Sequence, residues 1–205
     1  MIRVVDYGVG NIQAFLNLFD RLGLKAERAR QARDLIGATH FILPGVGHFD
    51  YAMRSFNNSG LRAPLEDLVL TQKKPLLGVC VGMQMLAHSS DEGILPGLGW
   101  IPGSVHSFNG KPESESLPLP HMGWNDLKIN KPSILFQETD IESPKFYFLH
   151  SYYFSAASRS DVIATTNYGL GFDAVVHHKN VFGMQCHPEK SHRWGEQFLC
   201  NFAEL

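Results

Sequence analysis

Pro75-Leu76-Leu77-Gly78-Val79, running on into Cys80-Val81-Gly82-Met83-Gln84, is the stretch on which the reading of this chain turns. The first five residues are a short apolar run of the kind that fills a buried strand, and the spacing over Met83–His88 predicts a helix. A cysteine therefore stands at a strand end, between two glycines, just ahead of a helix. That is the thiol form of a nucleophile elbow. A sharp strand-to-helix turn holds the nucleophile in an unusual backbone conformation, and small neighbours relieve the crowding. The helix N-terminus then presents N–H groups and a positive dipole end to an anion. The plainer alternative is a buried cysteine that fills space, a common fate of free thiols.

Upstream, the same alternation repeats. Ile2–Asp6 reads as a strand and Tyr7-Gly8-Val9-Gly10 as a turn, with Asn11 a candidate helix cap. Ile12, Phe15, Leu16, Phe19 and Leu22 recur at helical spacing, and Gly23 stands where a helix-ending glycine belongs. His40-Phe41-Ile42-Leu43 reads as a buried strand stopped by Pro44-Gly45-Val46-Gly47, and Leu61–Leu70 as helical. Strands alternating with helices imply parallel pairing through right-handed crossovers, hence a sheet covered on both faces. Downstream the pattern changes. Asn109–Pro120 is turn-rich, Phe146–Phe154 is strand-like, and Val162–Asn167 is a further strand. Ala174–His178 and Val181–Gln185 flank Lys179-Asn180 as a hairpin, and Ser191–Phe202 closes the chain as a helix with Ser191 at its start. The expectation is a three-layer α/β domain over residues 1–205, with a mostly parallel central sheet and antiparallel additions.

Composition narrows the function. The chain has 205 residues, 18 Lys and Arg against 20 Asp and Glu, and a net charge of −2. That is not the basic surface a nucleic-acid binder needs. With 44% hydrophobic and 19% charged residues it is an ordinary globular composition, and no apolar run approaches the roughly 18 residues of a membrane span. The opening Met1-Ile2-Arg3-Val4-Val5 reads as strand rather than secretory leader. Three cysteines, Cys80, Cys186 and Cys200, make no disulfide framework, which suits a reducing, cytoplasmic setting. No Cys-x-x-Cys pattern supports zinc, and adjacent His177 and His178 face opposite sides of a strand. Neither a metal nor a cofactor is expected.

A thiol nucleophile needs a base, and the base needs an orienting acceptor. His187-Pro188-Glu189 offers both: residues two apart in an extended segment point the same way, and Pro188 biases His187 toward extended backbone. Pro44-Gly45-Val46-Gly47, at the carboxyl end of a predicted parallel strand, is either a simple turn or a loop whose N–H groups face an anion.

In this order, Pro44-Gly45-Val46-Gly47, Gly78-Val79-Cys80-Val81-Gly82-Met83-Gln84, His150-Ser151-Tyr152-Tyr153 and His187-Pro188-Glu189-Lys190-Ser191 resemble the motifs of the class I, triad-type glutamine amidotransferases. Asp6-Tyr7-Gly8-Val9-Gly10-Asn11 and His121-Met122-Gly123-Trp124-Asn125 extend the likeness over essentially the whole chain. The resemblance implies a flavodoxin-like fold and hydrolysis of L-glutamine to glutamate and ammonia. Cys80 would be the nucleophile, His187 the base and then acid, and Glu189 its orienter. The N–H of Val81, with one from Gly45, Val46 or Gly47, would form the oxyanion hole. Gln84 and Glu92 would hold the glutamine head group, with Ser151 and Tyr152 lining the pocket through the main chain. Asn11, Met122, Trp124 and Lys190 match positions that face a separate (β/α)8 synthase subunit, which receives the ammonia in a heterodimer. Three departures stand out: Val81 in place of the usual Leu, Cys186 in place of an aromatic, and a bulky Ser191-His192-Arg193-Trp194-Gly195. The last, with Phe15-Leu16-Asn17, is similar to paralogues that supply ammonia for amidation of nucleotide-linked surface sugars.

Overall fold

The computed structural model describes residues 1–137 and 144–205. Its strands are β1 (Ile2–Val5), β2 (Ala26–Ala29), β3 (His40–Gly45), β4 (Leu76–Cys80), β5 (Ser89–Ser90), β6 (Gly103–Ser107), β7 (His121–Asp126), β8 (Lys128–Ile129), β9 (Lys145–His150), β10 (Tyr152–Ala156), β11 (Val162–Tyr168), β12 (Leu170–His178) and β13 (Val181–Met184). The helices are α1 (Ile12–Arg21), α2 (Phe49–Asn58), α3 (Arg62–Glu66), α4 (Val81–Met85) and α5 (His192–Ala203).

Among the described residues the large sheet runs β2-β1-β3-β4-β13-β12-β10-β6-β5, with β11 beside β12 and β8 beside β11. From β2 to β13 every pairing is parallel; beyond β13 the sheet continues through antiparallel pairs until β6 meets β5. The switch falls between β13 and β12, joined by the expected two-residue hairpin at Lys179-Asn180. All residues of β3 and β4 are buried. Strands covered on both faces need apolar residues at every position, which is why these two read as continuous apolar runs.

Helices cover both faces. α1 buries Ile12, Phe15, Leu18 and Phe19, and joins α5 through an Arg21–Glu196 ion pair at 3.2 Å. Phe202 of α5 packs edge-on against His40 and Phe182 of the sheet. α2 and α4 pack together on the other side and bury Phe49, Met53, Phe56, Met83 and Met85.

Several elements differ from their expected limits. The strand beginning at His40 continues through Pro44 and Gly45, because both pair with β4. The helix after Cys80 starts at Val81, not Met83. The helix expected over Leu61–Leu70 is α3 followed by a π-type turn at Asp67–Thr71, whose end is tied down by Asn180 donating to Val69 O and Lys74 O. Phe146–Phe154 is two strands in two different sheets: β9 pairs with β7 alone, while β10 joins the large sheet. The break is at Ser151, where His150 Nδ1 bonds Tyr152 O at 2.8 Å and turns the chain. Asn11 and Ser191 occupy N-cap positions, but neither side chain caps its helix.

Candidate active site

Cys80 is the last residue of β4 and the residue before α4, at φ 56° and ψ −116°. A positive φ on a non-glycine residue costs ~1–3 kcal/mol and persists only where the surroundings enforce it. Here β3 enforces it, with Gly45 directly opposite Cys80 in the ladder. The turn is pressed so closely onto β3 that a Cβ on Gly82 would lie 1.9 Å from Leu43 O, and one on Gly78 would lie 2.7 Å from Gly82 O. The glycines two positions either side of the cysteine are therefore a packing requirement of the turn.

β13 runs parallel beside β4, so the chain leaving β13 arrives at the same sheet end. This delivers His187. Its N–H donates to Tyr147 O at 2.8 Å. Ser191 Oγ donates to His187 O at 2.6 Å and accepts from Tyr147 N at 3.0 Å. Ser191 thus fixes the histidine backbone against β9 instead of capping α5. His187 Nδ1 lies 2.8 Å from Glu189 Oε1, with side-chain exposures of 5% and 2%.

Burial by itself disfavours a charged imidazole. The Cys80 sulfur, and then the Glu189 carboxylate, outweigh it and push the His187 pKa up to about 10. Nδ1 is committed to Glu189, so the sulfur acts on the ring from the Nε2 side, and buried Nε2 has no hydrogen-bond partner among the described residues, which leaves it free to exchange a proton. The sulfur itself has two further neighbours: Leu149 O accepts from the thiol at 3.8 Å, and Gln185 Nε2 donates to the sulfur at 3.8 Å. A nucleophilic atom, an imidazole and a buried carboxylate in this relation are the parts that acyl transfer through a thiol requires.

A cavity of about 360 Å³ opens over this sulfur. Its walls include His187, Val46, Gly47, Val81, Gln84, Glu92, Ser151, Tyr152 and Lys190. Gly45 lies behind this wall, against the backbone of Val81 and Gly82. Glu92 Oε2 accepts from the N–H of Phe49, the first residue of α2, at 2.8 Å. The Tyr152 carbonyl already accepts from Gln84 Nε2 and His150 Nδ1, so it has no acceptor capacity left for a ligand. Met122 and Trp124 project from β7 at 65% and 46% exposure; Trp124 stacks on His192, and Lys190 Nζ sits over the Tyr147 ring. Asn11 is exposed and is not part of the cavity wall. A larger, more open cavity near Asn125, Arg159 and Asp173 contains no cysteine or histidine.

Tyr7, Ser191, Gln185 and the buried His121 beside His150 stand in the motifs and strands quoted above, but their supporting roles escaped the sequence reading. Tyr7 donates to Pro44 O at 2.8 Å and so braces the loop at Gly45–Gly47. Their role lies in hydrogen bonds between distant segments, which no local spacing signals.

The model of the family described as "Glutamine amidotransferase class-I" matches residues 3–204. The chain is 54% identical over 205 residues, covering all of both chains, to the "Imidazole glycerol phosphate synthase subunit HisH" of Bdellovibrio bacteriovorus. It is 45% identical, again over 205 residues and all of both chains, to the protein of the same name from Leptospira interrogans. Among solved structures, one described as a glutamine amidotransferase has a TM-score of 0.74 at 18% identity, covering 100% of this chain and 99% of the other. PurLQS from Thermotoga maritima has a TM-score of 0.71 at 17% identity, covering 99% and 97%. At such identity the structural likeness concerns the fold.

Proposed function

The chain belongs to the class-I glutamine amidotransferase family, and from that premise we propose that it is the glutaminase subunit of an imidazole glycerol phosphate synthase. Residues 1–205 act as one amidotransferase domain, in the cytoplasm, hydrolysing L-glutamine and passing ammonia to a (β/α)8 synthase subunit for histidine biosynthesis. What carries the chemical part is the His187 imidazole, bonded to buried Glu189 on one side and facing Cys80 on the other. What supports the pathway is full-length likeness to relatives bearing that synthase name. Among the described residues no helix is long and apolar enough to cross a membrane.

The reaction follows from these parts. The Cys80 thiolate attacks the side-chain carbonyl carbon of glutamine, forming a C–S bond while the carbonyl oxygen gains negative charge. The Val81 N–H and one from Gly45–Gly47 take up that charge. His187 gives its proton to the leaving nitrogen, the C–N bond breaks, and ammonia departs from a glutamyl thioester. The neutral ring, held by Glu189, then takes a proton from water, which attacks the thioester and releases glutamate and the thiolate. Glu92 faces the α-ammonium group of glutamine, where a carboxylate is the matching partner. Gln84 borders the same pocket. Free ammonia is mostly protonated and non-nucleophilic in neutral water, which makes delivery to a docked acceptor chemically sensible. Met122, Trp124, Asn11 and Lys190 are our candidates for that docking face.

Ammonia release from glutamine, measured with and without the (β/α)8 partner, tests this. We expect slow release alone, strong stimulation by the partner, and none from Cys80→Ala. Release that survives Cys80→Ala refutes the mechanism. Stimulation only when a nucleotide-sugar amidating enzyme is also present would move the acceptor to surface-sugar synthesis.

A further inference from the structure

A single hydrogen-bonded chain connects β7 to the Cys80 sulfur, and its polarity is fixed at two points by backbone carbonyls, which only accept. At the far end Asn125 Nδ2 donates to Asn167 O at 2.8 Å and also reaches His121 Nε2 at 3.3 Å. His121 Nε2 is thus an acceptor, so the proton of this ring is on Nδ1. His121 Nδ1 lies 3.0 Å from His150 Nε2, which must then accept. His150 therefore carries its proton on Nδ1, and it donates to Tyr152 O at 2.8 Å. The same carbonyl receives Gln84 Nε2 at 3.1 Å, which fixes which end of that amide is nitrogen. Gln84 Nε2 also donates to Gln185 Oε1 at 3.1 Å. With its oxygen committed there, Gln185 turns its NH2 toward Cys80 Sγ, 3.8 Å away.

This orientation matters because Gln185 is completely buried, and a buried amide N–H aimed at sulfur favours the anion over the neutral thiol. Leu149 O, the other neighbour of the sulfur, accepts only from the protonated thiol. Both histidines in the chain are neutral: burial holds His121 at a pKa of about 4 and His150 at about 3, so the polarity does not reverse near neutrality.

We propose that Gln185 is a positioning residue for the nucleophile, donating to the Cys80 sulfur and holding it as thiolate, with Gln84, itself oriented by the Tyr152 carbonyl, fixing which way its amide faces. The proposal rests on the reading of Cys80 as the glutaminase nucleophile. The titratable groups around this sulfur are His187 and Cys186 after β13, Tyr7 after β1, His150 on β9, and Glu92 and Lys190 in the cavity wall. All of them are retained in the test.

The test is the pH profile of Cys80 alkylation by iodoacetamide, read by peptide mass mapping in a Cys200→Ser background. Gln185→Met keeps the side-chain size and removes the donor. We expect its profile to move to higher pH, with the rate at neutral pH falling about tenfold, the worth of one hydrogen bond to a charged group. A profile superimposable on the parent overturns the proposal. If Gln185→Met does not fold, nitrogen-15 glutamine labelling of the otherwise unaltered chain decides. The Gln185 side-chain amide, assigned through its own backbone, is expected to change shift between the parent and Cys80→Ala. An unchanged shift overturns the proposal equally. Ammonia release by the parent together with the (β/α)8 partner, run in parallel, separates the two failures: no release sinks the glutaminase reading, whereas release with an unaltered alkylation profile sinks the role of Gln185 alone.

Discussion

His187 Nδ1 and Glu189 Oε1 meet at 2.8 Å with both side chains shut off from water, and this pair makes folding stability depend on pH in a definite direction. Folding raises the imidazole pKa from 6.5 to about 10. A raised pKa stabilises the native state in full below pH 6.5, where the unfolded chain is protonated too, and that contribution is lost as pH climbs to about 10. We expect the urea midpoint to fall over this interval. Glu189→Gln and Cys80→Ala, which remove the groups that favour the proton, flatten the slope. Parallel pH profiles for all three proteins would contradict the assignment.

Ser191 tests whether the base is held through its backbone. Its buried hydroxyl donates to His187 O at 2.6 Å and accepts from Tyr147 N at 3.0 Å. Ser191→Ala leaves the Tyr147 N–H without its acceptor, while His187 O keeps the bond it receives from Lys190 N at 3.0 Å, so the cost is that of one unpaired group, about 1–3 kcal/mol. We expect a lower melting temperature together with a lower kcat at nearly unchanged KM, because the ring drifts while the pocket stays intact. A stability loss with full kcat would make Ser191 purely structural.

The parallel half of the fold was legible because buried parallel strands are apolar at every position, as in His40–Leu43 and Leu76–Val79. The edge strand β2 escaped notice because Ala-Glu-Arg-Ala carries charge, satisfied by Arg3–Glu27 and Arg28–Asp6 pairing that sequence spacing does not reveal. α2 was missed because its Phe49-Asp50-Tyr51 start follows a glycine loop, and its acceptors, His48 Nδ1 and Glu92, lie outside any standard capping pattern. At the site, Cys80, His187 and Glu189 were readable from short motifs, since the elbow and the His-x-Glu pair are local. Gln185 and His121 were not, because their meaning lies in contacts to Cys80 and His150, 105 and 29 residues away.

Gly82 allows a sharp test of the turn. An added Cβ would fall 1.9 Å from Leu43 O, a backbone atom of a fully buried strand that cannot move aside. We expect Gly82→Ala to lose ~3 kcal/mol or more, or to fail to accumulate as folded protein. A melting temperature within a degree or two of the parent would mean that α4 is not seated on β3 as described.

The docking face proposed on β7 makes Met122 informative. It is 65% exposed and packs little within the chain, so Met122→Asp should change the stability of the isolated subunit by under about 0.5 kcal/mol. A charge buried without a partner at an interface is costly, and we expect the Kd for the (β/α)8 subunit to rise at least about tenfold by calorimetric titration. Undiminished affinity would move the interface off this strand.

Glu92 has two tasks that substitutions can separate. Its Oε2 accepts from Phe49 N at 2.8 Å and so satisfies one free N–H at the start of α2. Its charge borders the cavity where the α-ammonium of glutamine is proposed to lie. Glu92→Gln keeps an oxygen acceptor for Phe49 but removes the charge. We expect the KM for glutamine to rise about tenfold or more, with kcat reduced far less and melting nearly unaltered. Glu92→Ala removes both functions. It should show the same rise in KM plus a stability loss of about 1 kcal/mol from the uncapped helix end. The start of α2 lies only two residues beyond Gly47, so releasing it also loosens the loop assigned to the oxyanion. The alanine variant is therefore expected to lose kcat that the glutamine variant retains. Equal kcat in the two would show that the loop is positioned without help from Glu92.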